Sequence, residues 1–169
     1  MAELDLLFRA FVNFREHRFP DPRAHGFRWV DLKSFRFAPD RPDAALLAAL
    51  VAHEQFRDDY AGGGVEPEGL RHSPYWLHEV GPGAYLPVGR AEAARTLAEW
   101  AGDGLPDSLE AALDATLRTV VDSADRRYRL PDLGADAFHD WGGVHGEFHE
   151  YVAVDDDRRV LTLLVAADD

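Results

Sequence analysis

The 169-residue chain contains no cysteine. Disulfides, thiolate zinc sites and cysteine nucleophiles are therefore excluded, and any metal would have to rest on His, Asp or Glu. Lysine occurs once, at Lys33, against 17 arginines. A P-loop needs glycine directly before its lysine; Leu32 stands there instead, which removes phosphate binding by that route. The four serines are Ser34, Ser73, Ser108 and Ser123, and none lies in a G-x-S-x-G. His72-Ser73 are neighbours in sequence but precede Pro74 in an expected turn. His53-Glu54 opens like a zincin HExxH, yet Arg57 occupies the second ligand position. The run Asp155 to Asp157 lacks the glycine and final glutamate of an EF-hand and reads as a solvated turn. No apolar run approaches the ~20 residues of a membrane-spanning helix. The opening MAELDLLFRAFVNF has neither a basic leader nor a small-residue cleavage site, so a cytoplasmic location is expected.

What is present in excess is negative charge, with a net of −13 that is spread unevenly. Residues 1–60 carry 9 basic and 10 acidic side chains, whereas residues 61–169 carry 9 basic and 21 acidic ones. Such a field repels nucleic acid and anionic lipid, and favours encounter with basic partners. Between Phe14 and Phe37 arginines alternate with aromatic residues, the composition of a stacking platform for single strands. Three acids interrupt that stretch and no RNP-like motif accompanies it, so core aromatics with solvated arginines are expected. The abundance of Ala, Gly, Asp and Arg is the imprint expected of a GC-rich bacterial genome. A chain of this length buries roughly 70% of its unfolded surface, enough for one globular domain over residues 1–169.

Hydrophobic spacing then divides the chain into elements. Leu4, Leu7, Phe8, Phe11 and Val12 recur at helical intervals, which predicts an amphipathic helix over residues 2–18. Residues 27–37 read as a strand with Phe27, Trp29, Phe35 and Phe37 in one parity, broken at Asp31 and Lys33 by a bulge or turn. A second helix opens at Pro42, with Asp43 as N-cap, and runs to the triglycine at Gly62. Residues 75–80 and 84–88 predict a hairpin, with Pro87 confining its second arm to a sheet edge. A third helix covers 90–101 with Gly102 just past its end, and a fourth begins at a capping box of Asp107 and Glu110 and stays apolar on one face to about Ala124.

The final stretch joins the most strand-like residues to the densest polar cluster. Residues 147–154 and 159–167 form two arms around the turn at 155–158, and the second arm is apolar on both faces, as an interior strand is. A lone hairpin is marginal in water, so further strands or helices must cover it. Helix, strand, helix, hairpin, two helices and hairpin predict an α+β domain: a mainly antiparallel sheet with about four helices packed on it and a C-terminal β-hairpin.

Two functional readings follow. In the first the chain is an acidic cytoplasmic binding protein for a basic protein, anchored by Trp76, Trp141 and Tyr151 beside Glu147 and His149. In size, acidity and lack of cysteine it resembles the small immunity proteins that neutralise bacterial toxins, which implies a toxin or nuclease as the partner. In the second, His139, His145, Glu147 and His149 hold a first-row divalent metal in a small enzyme, with Glu147 as ligand or general base. Cupin-like proteins group histidines and a glutamate on neighbouring strands, and the cluster is similar to these in kind while departing from their usual HxH order. Gly142-Gly143 and Gly146 loosen the approach to this cluster, which favours polar scaffolding and no bound metal.

Overall fold

A computed structural model describes residues 3–15, 17 and 28–168. Its sheet is built from β1 (Leu4–Asn13), β2 (Arg28–Phe37), β5 (Leu86–Pro87), β6 (Arg126–Leu130), β7 (Phe148–Asp155) and β8 (Val160–Asp168). These run in the order β1-β2-β8-β7-β6-β5, and every neighbouring pair is antiparallel. The β7–β8 hairpin forms where its alternation places it, and β8 lies inside the sheet, paired to both β2 and β7. A separate pair, β3 (Arg71–His72) and β4 (Tyr75–Trp76), turns tightly through Ser73 and Pro74. Three helices complete the fold: α1 (Asp43–Ala52), α2 (Arg90–Ala101) and α3 (107–123). The third contains a π-helical stretch, Asp114–Arg118. Among the described residues no helix is long and apolar enough to cross a membrane.

Each face of the sheet has its own cover. Phe35, Phe37, Val152, Val154, Leu161 and Leu163 pack on one face against Leu46, Leu47 and Leu50 of α1. Val30, Leu32, Tyr151, Leu164 and Ala166 pack on the other against Leu97 and Trp100 of α2 and Leu113, Leu117 and Val121 of α3. In an α-helix steps of four drift around the axis, because a turn takes 3.6 residues. The wider π-helical turn offsets that drift and keeps residues 113, 117 and 121 on the sheet. Leu117 is only 2% exposed, so Leu117→Ala is expected to cost ~2–5 kcal/mol in urea unfolding. A change within ~0.5 kcal/mol would place that side chain outside the core.

Several expectations are corrected. Residues 4–13 form a strand and not a helix, which leaves three helices instead of four. A bulge between Leu6 and Phe8 shifts the strand's parity by one residue, and apolar positions on either side of such a shift mimic helical spacing. Conversely β2 runs unbroken through Asp31 and Lys33, with no bulge; Phe27 lies outside the described residues. Helix α1 ends at Ala52, where His53 turns extended and its Nδ1 accepts the Gln55 N–H at 3.1 Å. Pro42 takes the N-cap position of α1 and Pro106 that of α3, so neither Asp43 nor Asp107 caps by side chain. The Asp43 carboxylate instead accepts from Arg126 Nε at 2.8 Å and from the Tyr128 hydroxyl. Residues 75–80 and 84–88 do not pair with each other: Tyr75–Trp76 turns back on Arg71–His72, and Leu86–Pro87 joins β6 at the sheet edge.

Candidate functional site

The antiparallel register lines side chains into rows across one face. Arg9, Lys33, Leu163 and Val152 share a row; Phe11, Asp31, Val165 and Glu150 share the next. Four ionisable groups, Arg9, Lys33, Asp31 and Glu150, thus stand among the apolar residues of this face, and the chain between α1 and β4 closes over them. Lys33 Nζ is fully buried and donates to Asp58 Oδ2 at 2.7 Å, to the Gln55 carbonyl at 3.0 Å and to the Tyr60 hydroxyl at 3.3 Å. Arg9 Nη2 donates to Asp31 Oδ1 at 3.2 Å and lies 3.6 Å from Asp58 Oδ2. Asp58 Oδ1 accepts the Tyr60 N–H at 2.9 Å, which holds the loop in a tight Asx turn.

Burial sets the electrostatics of this group. It raises the Asp31 carboxyl above its ordinary value despite Lys33 and Arg9, and lowers the Lys33 ammonium despite Asp58. It also lifts the Tyr60 hydroxyl well above the ordinary tyrosine range, helped by Asp31 and Asp58. One acceptor is left over. Asp31 Oδ2 is buried without a hydrogen-bond partner, its nearest cation being Lys33 Nζ at 3.9 Å.

Asp31 and Asp58 lie at the base of a cleft of about 600 Å³ whose walls include Phe11, Trp29, Tyr60 and Trp141. Trp29 stacks between Phe11 and Tyr60, with ring centroids 6.1 and 5.5 Å away. Trp141, 55% exposed, stands at the opening. A side chain at 142 would strike the Pro74 carbonyl oxygen, so glycine there lets the segment carrying Trp141 lie on the β3–β4 turn. Gly62 and Gly64, at φ +110 and +73, shape the rim.

Glu150, in the same row as Asp31 and two strands away, organises a second buried network. Its carboxylate accepts from His72 Nε2 at 2.8 Å, Ser73 Oγ at 2.5 Å and the Tyr85 hydroxyl. His72 Nδ1 faces the Phe56 carbonyl. Both ring nitrogens thus lie against oxygen atoms, which fixes the ring between the Phe56 carbonyl and the Glu150 carboxylate of β7. Burial alone would raise the Glu150 carboxyl, but His72 and the three hydrogen bonds outweigh it and hold the carboxyl below its ordinary value. The Tyr85 hydroxyl is pushed well upward by burial and by Glu150. Although Ser73, His72 and a carboxylate meet here, Ser73 donates to Glu150 and both Ser73 and His72 are completely buried. A nucleophile needs a free base and a route for substrate, and this serine has neither.

The residues expected from the sequence fall into separate groups, Trp76 with His139 and Trp141, and Glu147 with His149. Trp141 is exposed; Trp76 is half-buried, edge-on to His139 with Arg71 above its ring. Glu147 accepts from His149 Nε2 at 3.0 Å near the start of β7. Tyr151, 5% exposed, lies in the core facing α2. His139 Nε2 donates to the Ser73 carbonyl at 2.7 Å while its Nδ1 accepts the Trp141 N–H at 3.0 Å, and burial lowers its basicity. His145 reaches the Asp59 carbonyl at 3.4 Å and packs on Trp29 and Phe148. His139, His145, Glu147 and His149 therefore do not converge, and among the described residues no three His, Asp or Glu side chains are grouped to hold a metal ion. Arg9, Asp31, Lys33, Asp58 and Tyr60 were not read from the sequence as a site. Their only signal was the pair of charges in the aromatic parity of β2. Comparison with known proteins finds no matching family model, no matching curated protein and no matching solved structure.

Proposed function

We propose that the protein is a non-enzymatic binding protein for a basic protein, in the manner of an immunity-like inhibitor acting on a toxin or nuclease. The observation that carries this reading is the unpartnered Asp31 oxygen at the base of an aromatic cleft open to solvent, in a chain of net charge −13. A buried acceptor without a donor costs free energy that an incoming N–H recovers. The chain's net negative charge raises the rate of encounter with a basic surface, while an aromatic anchor such as Trp141 holds the complex once formed. The groups best suited to chemistry, His72, Ser73 and Glu150, are sealed from solvent and satisfied by one another.

The test is affinity capture from the native host at low and moderate salt, with the Trp141→Ala protein as control. A basic protein should be retained by the native chain, with an association rate that falls as salt rises, and lost by the Trp141 variant. Retention of no protein at either salt would count decisively against the reading.

A further inference from the structure

The cleft's floor and walls narrow the chemistry of its guest. Asp31 is 4% exposed and its Oδ2 accepts no hydrogen bond, with Lys33 Nζ 3.9 Å away. The guest must therefore bring an N–H or O–H to one oxygen while resting on aromatic surface. A cation adds attraction to the open ring face of Trp141, 55% exposed, whereas Trp29 is covered by Phe11 and Tyr60. An ammonium carries three donors, is strongly hydrated, and would find a single free acceptor. A guanidinium is planar, weakly hydrated, stacks on indole, and can point one edge at a carboxylate. Arg9 already shows the match, since these carboxylates hold its guanidinium 3.2 Å from Asp31 Oδ1 and 3.6 Å from Asp58 Oδ2.

We infer that the cleft receives one guanidinium, an arginine side chain of the basic partner, laid against Trp141 with an N–H on Asp31 Oδ2. This inference rests on the binding reading above. Arg9 and Lys33 already balance Asp31 and Asp58, so the guest's charge is not neutralised by the four groups alone. Two things oppose its repulsion by Arg9 and Lys33: the chain's overall negative charge and the stacking on the rings. A lone guanidinium should consequently bind weakly, with a dissociation constant on the order of 1 mM.

The experiment titrates the full chain at low salt with N-ethylguanidinium, with N-ethylurea, its neutral isostere, and with ethylammonium, while following the indole N–H resonances of the four tryptophans. N-ethylguanidinium should shift Trp141 and Trp29 saturably, and the other two should bind at least about tenfold more weakly. Asp31→Asn should weaken the guanidinium about tenfold, with a thermal melt verifying that the variant is folded. Trp141→Ala, at an exposed position, should weaken it as well and decides the matter should Asp31→Asn fail to fold. Equal binding of N-ethylurea or ethylammonium overturns the assignment, as does unchanged binding by Trp141→Ala or by folded Asp31→Asn. If N-ethylguanidinium leaves Trp141 and Trp29 unmoved while a basic protein is still captured, the cleft is not the anchor and the binding reading survives. If the guanidinium binds and capture returns nothing, the cation preference of the cleft survives and the protein partner does not.

Discussion

Replacing Lys33 with methionine should destabilise the protein by about 3–5 kcal/mol, because it leaves the Asp58 carboxylate buried without its ammonium. Asp58 is 2% exposed and its closest cation is Lys33 Nζ, at 2.7 Å; Arg9 reaches no nearer than 3.6 Å. The Gln55 carbonyl and Tyr60 hydroxyl lose the same donor. The double variant Lys33→Met, Asp58→Asn should recover most of the loss. It removes one charge of each sign, leaves Arg9 paired with Asp31, and keeps an oxygen for the Tyr60 N–H. Urea unfolding of the two single variants and the double variant measures the coupling. Additive losses would show that Lys33 and Asp58 act independently, contrary to this account.

Glu150→Gln should be comparably costly at neutral pH, again by about 3–5 kcal/mol, since it breaks the buried pair with His72 and weakens the acceptor for Ser73 and Tyr85. The pH dependence separates this from a simple packing defect. The Glu150 carboxyl is held below its ordinary 4.5 in the folded protein. Its contribution is therefore fully present above the unfolded value of 4.5 and is lost as pH falls through the lower folded value. Asp31 has the opposite sign. Its raised folded value means that burial of the charged form weighs on stability at neutral pH, and acidification from that value towards the ordinary 3.8 relieves the burden. The native protein should hold its stability on mild acidification and then lose it below pH 4.5. Glu150→Gln should lack most of that late loss. Parallel stability curves for the two proteins between pH 7 and 3 would refute the assignment of the acid limb to Glu150.

How much of this was legible in the sequence depended on whether a residue's role was set by its neighbours in the chain or by distant ones. The β7–β8 hairpin and α2 were legible because alternation, helical spacing and a terminal glycine are local signals. β1 was misread because one extra residue at Leu7 mixes two strand phases into something helix-like. β6, Arg-Arg-Tyr-Arg-Leu, carries too little apolar alternation to announce a strand. It is held by partners far away in sequence, with Arg126 on Asp43 and Asp156 and the Tyr128 hydroxyl on Asp43. The cleft was least legible. Lys33 and Asp58 meet only because the loop after α1 folds back over β2, and no spacing rule links residue 33 to residue 58. The interruption at Asp31 and Lys33 was visible, but a charge in a buried parity can mean either a distorted strand or a satisfied ion pair. Tertiary contact alone decides between them.

The bulge that disguised β1 also governs how the molecule meets copies of itself. Among the described residues β1 pairs on one side only, and Leu6, Leu7, Phe8 and Phe11 along it are 39–60% exposed. A long open edge with such side chains invites another strand to add on and growth to continue. Opposite, β5 is two residues long and contains Pro87, which offers no amide for a ladder. At β1 the safeguard is the residue out of step at Leu7. A straight strand docking along it finds donors and acceptors in register on one side of that position and out of register on the other. That break in the ladder opposes continuous strand addition along an edge whose apolar side chains stand exposed beside the cleft.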